Sequence, residues 1–315
     1  MPDTRAWDGA AGTQDRIGLG IAGILIGMFA ISFMDALAKW LGEGYPIAAL
    51  VFFRNFFALP PALFILWRQG GGWASLVPRW KTGHVIRAAL GLGAIFAFFT
   101  GLRYLQLAEA LSIAFAAPLF VTALSVPILG ERVGPRRWAA VVVGFLGVLI
   151  MTRPGAETFR PEALYILVAA LCYALAMLVT RRLARSDTTP AIMMSGICIS
   201  LVVSGLILPF GWRTPQATDF WLFVLLGLAG GIGMYFMTQA YRYAPAAVIA
   251  PFDYTALLWG TLFGWLVWQE LPGANVWLGA AIVIASGLYI VHRETRARPR
   301  ERPRERPRER PRERR

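Results

Sequence analysis

Residues 240–270 read AYRYAPAAVIAPFDYTALLWGTLFGWLVWQE. An Arg-Tyr-Ala-Pro turn opens this stretch and a Trp-Gln-Glu edge closes it. The apolar run between them is long enough to cross a bilayer, and Asp253 is embedded in it. A carboxylate in hydrocarbon is costly, so it has to face protein or a water-filled cavity. A weaker copy of the same layout begins at Arg103. A repeat and a buried acid are therefore the two features from which fold and function are read.

The rest of the chain shares the character of this stretch. Its 315 residues are 57% hydrophobic and 16% charged, whereas soluble domains sit near 45–50% apolar and about 25% charged. Apolar runs of roughly 18 or more residues recur along it, each long enough to span hydrocarbon. That pattern identifies an all-α polytopic membrane protein; a membrane β-barrel would alternate over roughly ten-residue segments. The net charge of +13 does not indicate a nucleic-acid partner, because from Arg293 onward twelve arginines and five glutamates supply +7 of it. The remainder lies mostly in loops on one side. Cys172 and Cys198 fall inside apolar spans and read as small core residues, with no zinc spacing and no disulfide framework. Asp3, Asp8 and Asp15 precede the first span, no small-residue cleavage site follows a short apolar core, and the first span itself is expected to direct insertion.

Ten spans are expected: roughly 17–38, 46–67, 84–103, 108–129, 137–152, 161–181, 190–210, 218–241, 245–268 and 273–292. Most connections are short and carry Gly, Pro or charge, as between Gly130 and Pro135. The fifth span is short for a full crossing. With the N-terminus inside, cytoplasmic segments before the tail hold twelve Lys and Arg and the opposite side holds five. The positive-inside bias therefore places both termini in the cytoplasm, in a bacterial inner membrane.

Sliding the chain by 139 residues superposes Arg103-Tyr104 on Arg242-Tyr243, Ala108 on Ala247 and Thr122 on Thr261. It also superposes Glu131 on Glu270, Gly134 on Gly273 and Trp138 on Trp277. Spans 3 to 5 thus correspond to spans 8 to 10. Five spans separate the copies, and five is odd, so the second copy enters the membrane upside down. Inverted repeats of this kind build secondary transporters, with the substrate site at the repeat interface. The expected layout is a cytoplasmic N-terminus (1–16), repeat 1 (17–152), repeat 2 (161–292) and an Arg-rich tail (293–315), the last disordered because it cannot bury apolar surface.

Two stretches carry a family resemblance: GLRYLQLAEALSIAFAAPLFVTALSVPILGERVGPRRWAAVVVGFLGVLI and AYRYAPAAVIAPFDYTALLWGTLFGWLVWQELPGANVWLGAAIVIASGLYI. They resemble the paired EamA domains of the drug/metabolite transporter superfamily, and Arg54 in span 2 resembles the arginine that often sits there. The resemblance implies a ten-helix carrier of 5+5 inverted repeats with a central cavity for small organic metabolites. The second half looks most like branches containing riboflavin carriers, S-adenosylmethionine carriers and exporters of opine metallophores or amino acids.

Candidate site residues are the polar groups that the spans bury. Asp253 lies about eight residues into span 9, roughly 12 Å below the surface at about 1.5 Å per residue. It reads as a proton site or a counter-ion for an amine, or else as a carboxyl tied to a neighbouring helix. Its counterpart Ala114 is no acid, so symmetry does not demand one. Asp35 in span 1 and Arg54 in span 2 lie at similar depth and read as an interhelical ion pair, with Arg54 alternatively gripping a substrate carboxylate. Lys39 reads as a second partner for Asp35 or as a residue that snorkels to the interface. Gln239 and Thr100 are equivalent under the shift; Gln239 shares a face with Tyr235, and that face either lines a polar cavity or ties helices together. Trp259 and Phe252 read as cavity lining or as packing. Glu131 and Glu270 end spans 4 and 9 and read as partners of the turns that follow. Gly91, Gly93, Gly230, Gly231 and Gly233 read as surfaces for close helix packing. His84 has no partner spacing, and no Ser-His-Asp, HExxH or paired-Cys constellation is visible.

The expectation is a secondary carrier of a small polar or zwitterionic metabolite, an amino-acid-derived compound or opine-type metallophore, moving outward. Uptake of riboflavin or an S-adenosylmethionine-like molecule is the alternative, and a non-transporting receptor or scaffold the reading from another class. No enzyme activity, cofactor or metal is expected. The partners are the substrate and the lipid bilayer, not nucleic acid, with a homodimer left open.

Overall fold

The computed structural model describes residues 5–68, 76, 78–131, 133–153 and 160–297. Among them the regular structure is helical, in twelve α-helices. They are α1 (Arg5–Gly44), α2 (Ile47–Arg68), α3 (Lys81–Leu102), α4 (Leu107–Ala114), α5 (Ala117–Leu129) and α6 (Pro135–Thr152). The second half supplies α7 (Ala163–Leu183), α8 (Thr189–Ile207), α9 (Ala217–Tyr243), α10 (Ala246–Asp253), α11 (Thr255–Trp268) and α12 (Ala274–Ala297). Eight stretches are long and apolar enough to cross a membrane, among them Leu107–Leu129, which joins α4 to α5. The shorter apolar helix Ile47–Leu63 and the divided pair α10–α11 complete ten crossings. The fifth, at 18 residues, is a full candidate span. Helix α1 begins at Arg5 rather than at residue 17, and α12 runs through Ala297, five residues beyond the expected boundary. The remainder of the tail lies outside the described residues.

The two halves follow one plan. Crossing four breaks after Ala114 with Phe115 at the joint, and crossing nine breaks after Asp253 with Tyr254 at the joint. The joints are 139 residues apart, as the sequence shift requires. Each second half-helix then ends on a left-handed residue, Gly130 (φ 68°) or Gln269 (φ 57°). The backbone amides that follow close the same pair of bonds. Gly130 N donates to Val126 O at 3.1 Å and Glu131 N to Ser125 O at 3.4 Å, while Gln269 N donates to Trp265 O at 3.0 Å and Glu270 N to Gly264 O at 3.1 Å. Such a C-cap satisfies the last carbonyls of a helix and turns the chain sharply. Glycine takes the left-handed conformation without a side-chain penalty, whereas Gln269 adopts it against its own preference.

Packing exchanges elements between the repeats. Helix α1 lies along α9, and α3 lies along α7, while α6 and α12 pack against each other. Close approach needs small residues there: a Cβ on Gly147 would stand 2.9 Å from the Gly279 carbonyl oxygen, and one on Gly27 would stand 3.2 Å from that of Gly233. The expected glycine surfaces hold on α9, where Gly230, Gly231 and Gly233 meet Met34, Pro61 and Ile31. On α3 they do not, because Gly91 faces open space and Gly93 meets only Cys172 Sγ, at 3.6 Å. The fused core runs through both halves, from Leu37, Leu50 and Leu102 to Leu119, Ile166, Phe223 and Val283.

Candidate functional site

Helix direction divides the molecule into two faces. One carries the start of α3, the end of α7 and the turn between α9 and α10; the other carries the α1–α2, α3–α4 and α11–α12 turns. The second face is laced shut. Lys39 Nζ meets Glu270 Oε2 at 2.6 Å and sits 4.7 Å above the Trp268 ring. Tyr45 donates its hydroxyl to Asp219 at 2.6 Å, Arg103 donates to the Tyr45 carbonyl, and Trp268 Nε1 donates to Glu43 at 3.1 Å. Lys39 is thus buried and engaged with Glu270, not with Asp35. The side chain bends toward the end of α11, where a carboxylate compensates its charge. On the first face the equivalent glutamate, Glu131, stands 3.8 Å from Arg181, and both side chains are more than a third exposed.

Asp253 ends α10 at the joint of crossing nine. Its Oδ2 accepts a hydrogen bond from the Tyr241 hydroxyl at 2.7 Å, and its Oδ1 is buried without a partner among the described residues. Tyr254, next in the chain, packs its ring edge-on against Phe115 and its hydroxyl against Gly287 of α12. Tyr173 shares the arc of α7 that carries buried Ile166 and Ala169, yet it is 48% exposed. Tyr241 likewise shares the arc of α9 that carries buried Phe223 and Leu226, yet is 39% exposed. Tyr241 lies near the first face, and Tyr173 midway along α7.

Arg87 of α3 is a further charge within a span and was missed in the sequence. Its Nε donates to Thr180 Oγ1 of α7 at 3.0 Å, and its Nη1 lies against Gly196 of α8. No carboxylate among the described residues comes within 4 Å of it. The signal was available: an arginine three residues inside the expected span 84–103 requires the same explanation as Asp253.

The other candidates separate. Gln239 Nε2 donates to Tyr235 at 3.2 Å, and Gln239 Oε1 accepts from Arg242 at 3.5 Å. At about 100° per residue Gln239 lies nearly opposite Tyr241 on α9, so its amide is satisfied by Tyr235 and Arg242 rather than by Asp253. Thr100 bonds back to the Phe96 carbonyl at 2.7 Å within its own helix. Trp259 packs edge-on against Phe29, with centroids 5.0 Å apart, and its Nε1 is buried without a partner. Phe252 packs with Trp259 against Ile24, Met28 and Ile249. Asp35 and Arg54 do not close the expected ion pair. Arg54 Nε instead approaches Met34 Sδ at 3.3 Å, and the two charges act on each other without a contact within 4 Å. The rotation of α1 puts Met34, not Asp35, under the guanidinium.

A Ser-His-Asp constellation, invisible in the sequence, does form. His84 Nδ1 lies 2.6 Å from Ser195 Oγ, and His84 Nε2 lies 3.3 Å from Asp187 Oδ1. His84 is more than a hundred residues from Asp187 and Ser195, so no spacing announces the set. Asp187 Oδ1 also accepts from the Arg79 amide at 2.6 Å, and Ser195 donates to the Ile192 carbonyl at 3.2 Å. The cluster ties the start of α3 to the α7–α8 turn. Hydrogen bonds from the Ser186 hydroxyl, the Arg79 amide and His84 hold the Asp187 carboxyl down to about 2. Beside it a groove of about 500 Å³ is walled by Pro78, Val85, Met194 and Ile199, and none of the sequence-selected site residues lines it.

Comparison with known proteins agrees with this architecture. The family described as EamA-like transporter family matches residues 18–153 and 160–292. A riboflavin transporter from Rhizobium johnstonii is 30% identical over 286 residues, covering 89% of this chain and 93% of that protein. An S-adenosylmethionine uptake transporter from Rickettsia felis is 27% identical over 281 residues, covering 89% and 95%. A solved crystal structure shares the fold with a TM-score of 0.61 and 22% identity, over 87% of this chain and 98% of its own.

Proposed function

The chain belongs to the EamA-like transporter family, and from that premise we propose that it takes up a ring-bearing, amino-acid-derived metabolite, with Asp253 as counter-charge to the cationic centre. The observation that carries this reading is the Asp253 Oδ1, buried at a helix break without a partner among the described residues, beside the Tyr241 hydroxyl that its other oxygen accepts. A discontinuous helix at mid-membrane presents backbone ends to a substrate. The C-terminal end of α10 is the negative end, and Asp253 adds a carboxylate to it. Tyrosine faces attract a cation and stack on a planar ring. S-adenosylmethionine, named for the Rickettsia felis relative, has such a ring and a sulfonium.

We place the first face, with Glu131 and Arg181, in the cytoplasm on the positive-inside bias, so that the laced face is periplasmic and the structure is open inward. The export expected from sequence is replaced in our reading by uptake, the direction in that relative's name. No nucleotide-binding motif is visible in the sequence, so the driving force is a gradient or exchange.

Proteoliposomes loaded with the purified chain test the reading. Labelled S-adenosylmethionine should accumulate, its decarboxylated form should compete, and Asp253→Asn should reduce flux by an order of magnitude or more. Absence of flux for every cationic ring compound would remove the proposal. Riboflavin is the second reading, favoured by the Rhizobium johnstonii relative. The vitamin is uncharged, so its uptake would survive Asp253→Asn.

A further inference from the structure

The groove of about 500 Å³ beside His84 is built by two stripes of side chains on helices from different repeats. Lys81, His84 and Val85 lie at i, i+3 and i+4 along one side of α3. Met194 and Cys198, with Ser195 and Ile199, form the matching i, i+4 rows of α8. The groove starts at Lys81, the first residue of α3, and reaches Ile199, ten residues from the start of α8. Ten residues of helix rise about 15 Å, half of a hydrocarbon core about 30 Å thick. Trp80, exposed immediately before α3, stands at the headgroup level, as interfacial tryptophans do. Val85 and Cys198 are exposed, so the groove opens on the surface that meets lipid. It spans one leaflet, from headgroup to midplane.

Its chemistry changes along that length. The body has no free hydrogen-bonding group for a polar ligand, because His84 Nδ1 and Ser195 Oγ engage each other at 2.6 Å and His84 Nε2 lies on Asp187. Val85, Met194, Cys198 and Ile199 leave the rest of it apolar. The mouth is basic. Lys81 is exposed, and no carboxylate among the described residues comes within 4 Å of it. Arg79 is two residues away, and its amide bond to Asp187 brings exposed Arg185 of the α7–α8 turn to the same corner. The Asp187 carboxylate is already taken up by the Arg79 amide, the Ser186 hydroxyl and His84.

We propose that this groove is a lipid site that holds one phospholipid of net negative headgroup, with the phosphate at Lys81 and an acyl chain along Val85, Met194, Cys198 and Ile199. Charge complementarity selects the occupant. A zwitterionic lipid would fill the apolar body equally well and gain little from the cations at the mouth, whereas basic pockets between transmembrane helices favour anionic headgroups. The site is separate from Asp253 and stands whether or not the uptake reading does. Because α3 belongs to the first repeat and α8 to the second, a lipid seated there joins the two repeats at the first face.

The test is native mass spectrometry of the purified full chain, with phosphatidylglycerol or phosphatidylethanolamine added to the micelles. Wild type should retain phosphatidylglycerol preferentially, by on the order of fivefold or more, the effect of one basic residue near a headgroup. Lys81→Gln should lower that preference about fivefold, and Lys81→Arg should keep it. Arg136→Gln, at the start of α6 on the same face, should leave it unchanged. A phosphatidylglycerol with a photoreactive acyl chain should label the peptide that contains Met194 and Cys198. Equal retention of the two lipids by wild type overturns the proposal, as does a preference that survives Lys81→Gln. Equal losses in the Lys81 and Arg136 variants overturn it too, since the surface as a whole would then attract the lipid. Labelling confined to other helices overturns the seat in the groove.

Discussion

Phe115 and Tyr254 occupy equivalent joints of the two repeats, and their rings meet edge to face with centroids 4.8 Å apart. The pseudo-twofold axis therefore passes between them, at the point where α4 gives way to α5 and α10 to α11. Contact between the joints couples the two broken crossings mechanically. An aromatic pair of this geometry contributes about 0.5–1.5 kcal/mol beyond its area. A double-mutant cycle of Phe115→Ala and Tyr254→Ala, read by unfolding in mixed micelles, should give a coupling energy in that range. Strict additivity would show that the joints do not act as a unit.

Tyr241 donates the only hydrogen bond that Asp253 accepts among the described residues. Tyr241→Phe should weaken binding of a cationic probe about three- to tenfold, the effect of one hydrogen bond to a charged group. Tyr254→Phe, which removes a hydroxyl not bonded to Asp253, should change it less. Equal losses in the two variants would argue against a specific Tyr241–Asp253 bond.

The two exit glutamates predict unequal gates. Lys39–Glu270 is short and its lysine buried, whereas Arg181–Glu131 is longer and exposed. An exposed pair contributes roughly 0–1 kcal/mol, and removing one partner of a buried pair costs several times that. Glu270→Gln should therefore make a cysteine placed at the buried Ala36 position reactive to an impermeant maleimide from the laced face. The charge-swapped pair, Lys39→Glu with Glu270→Lys, should restore protection. Glu131→Gln should leave labelling unchanged, and a large effect there would contradict the assignment of the closed side.

The Asp187 tie has a defined pH signature. Its carboxyl is held down to about 2 by the Ser186 hydroxyl, the Arg79 amide and His84. A depressed carboxyl stabilises the fold above its ordinary value of about 3.9 and loses that contribution as pH falls through the folded value. Thermal unfolding in detergent should show Asp187→Asn melting below wild type at pH 7. The gap should narrow between pH 4 and pH 2. A gap that is constant over that window would assign the tie to packing rather than to charge.

Hydropathy, run length and the 139-residue shift determined the ten crossings, the inversion of the second half and the placement of Asp253 inside hydrocarbon. Those properties are local, or depend only on counting crossings, so one sequence suffices for them. The joints at Phe115 and Tyr254 were hidden because an unbroken apolar run reads the same whether its helix is whole or divided. The partners of buried charges were hidden for another reason. Which face a side chain presents depends on the rotation of its helix and on which helices cross it, and neither is written in spacing along the chain. Tertiary packing therefore sent Lys39 to Glu270 and put Met34 under Arg54. It brought Ser195 and Asp187 to His84. Above all it decided that Asp253, legible from the start as a buried acid, ends a divided helix with the Tyr241 hydroxyl as its hydrogen-bond donor.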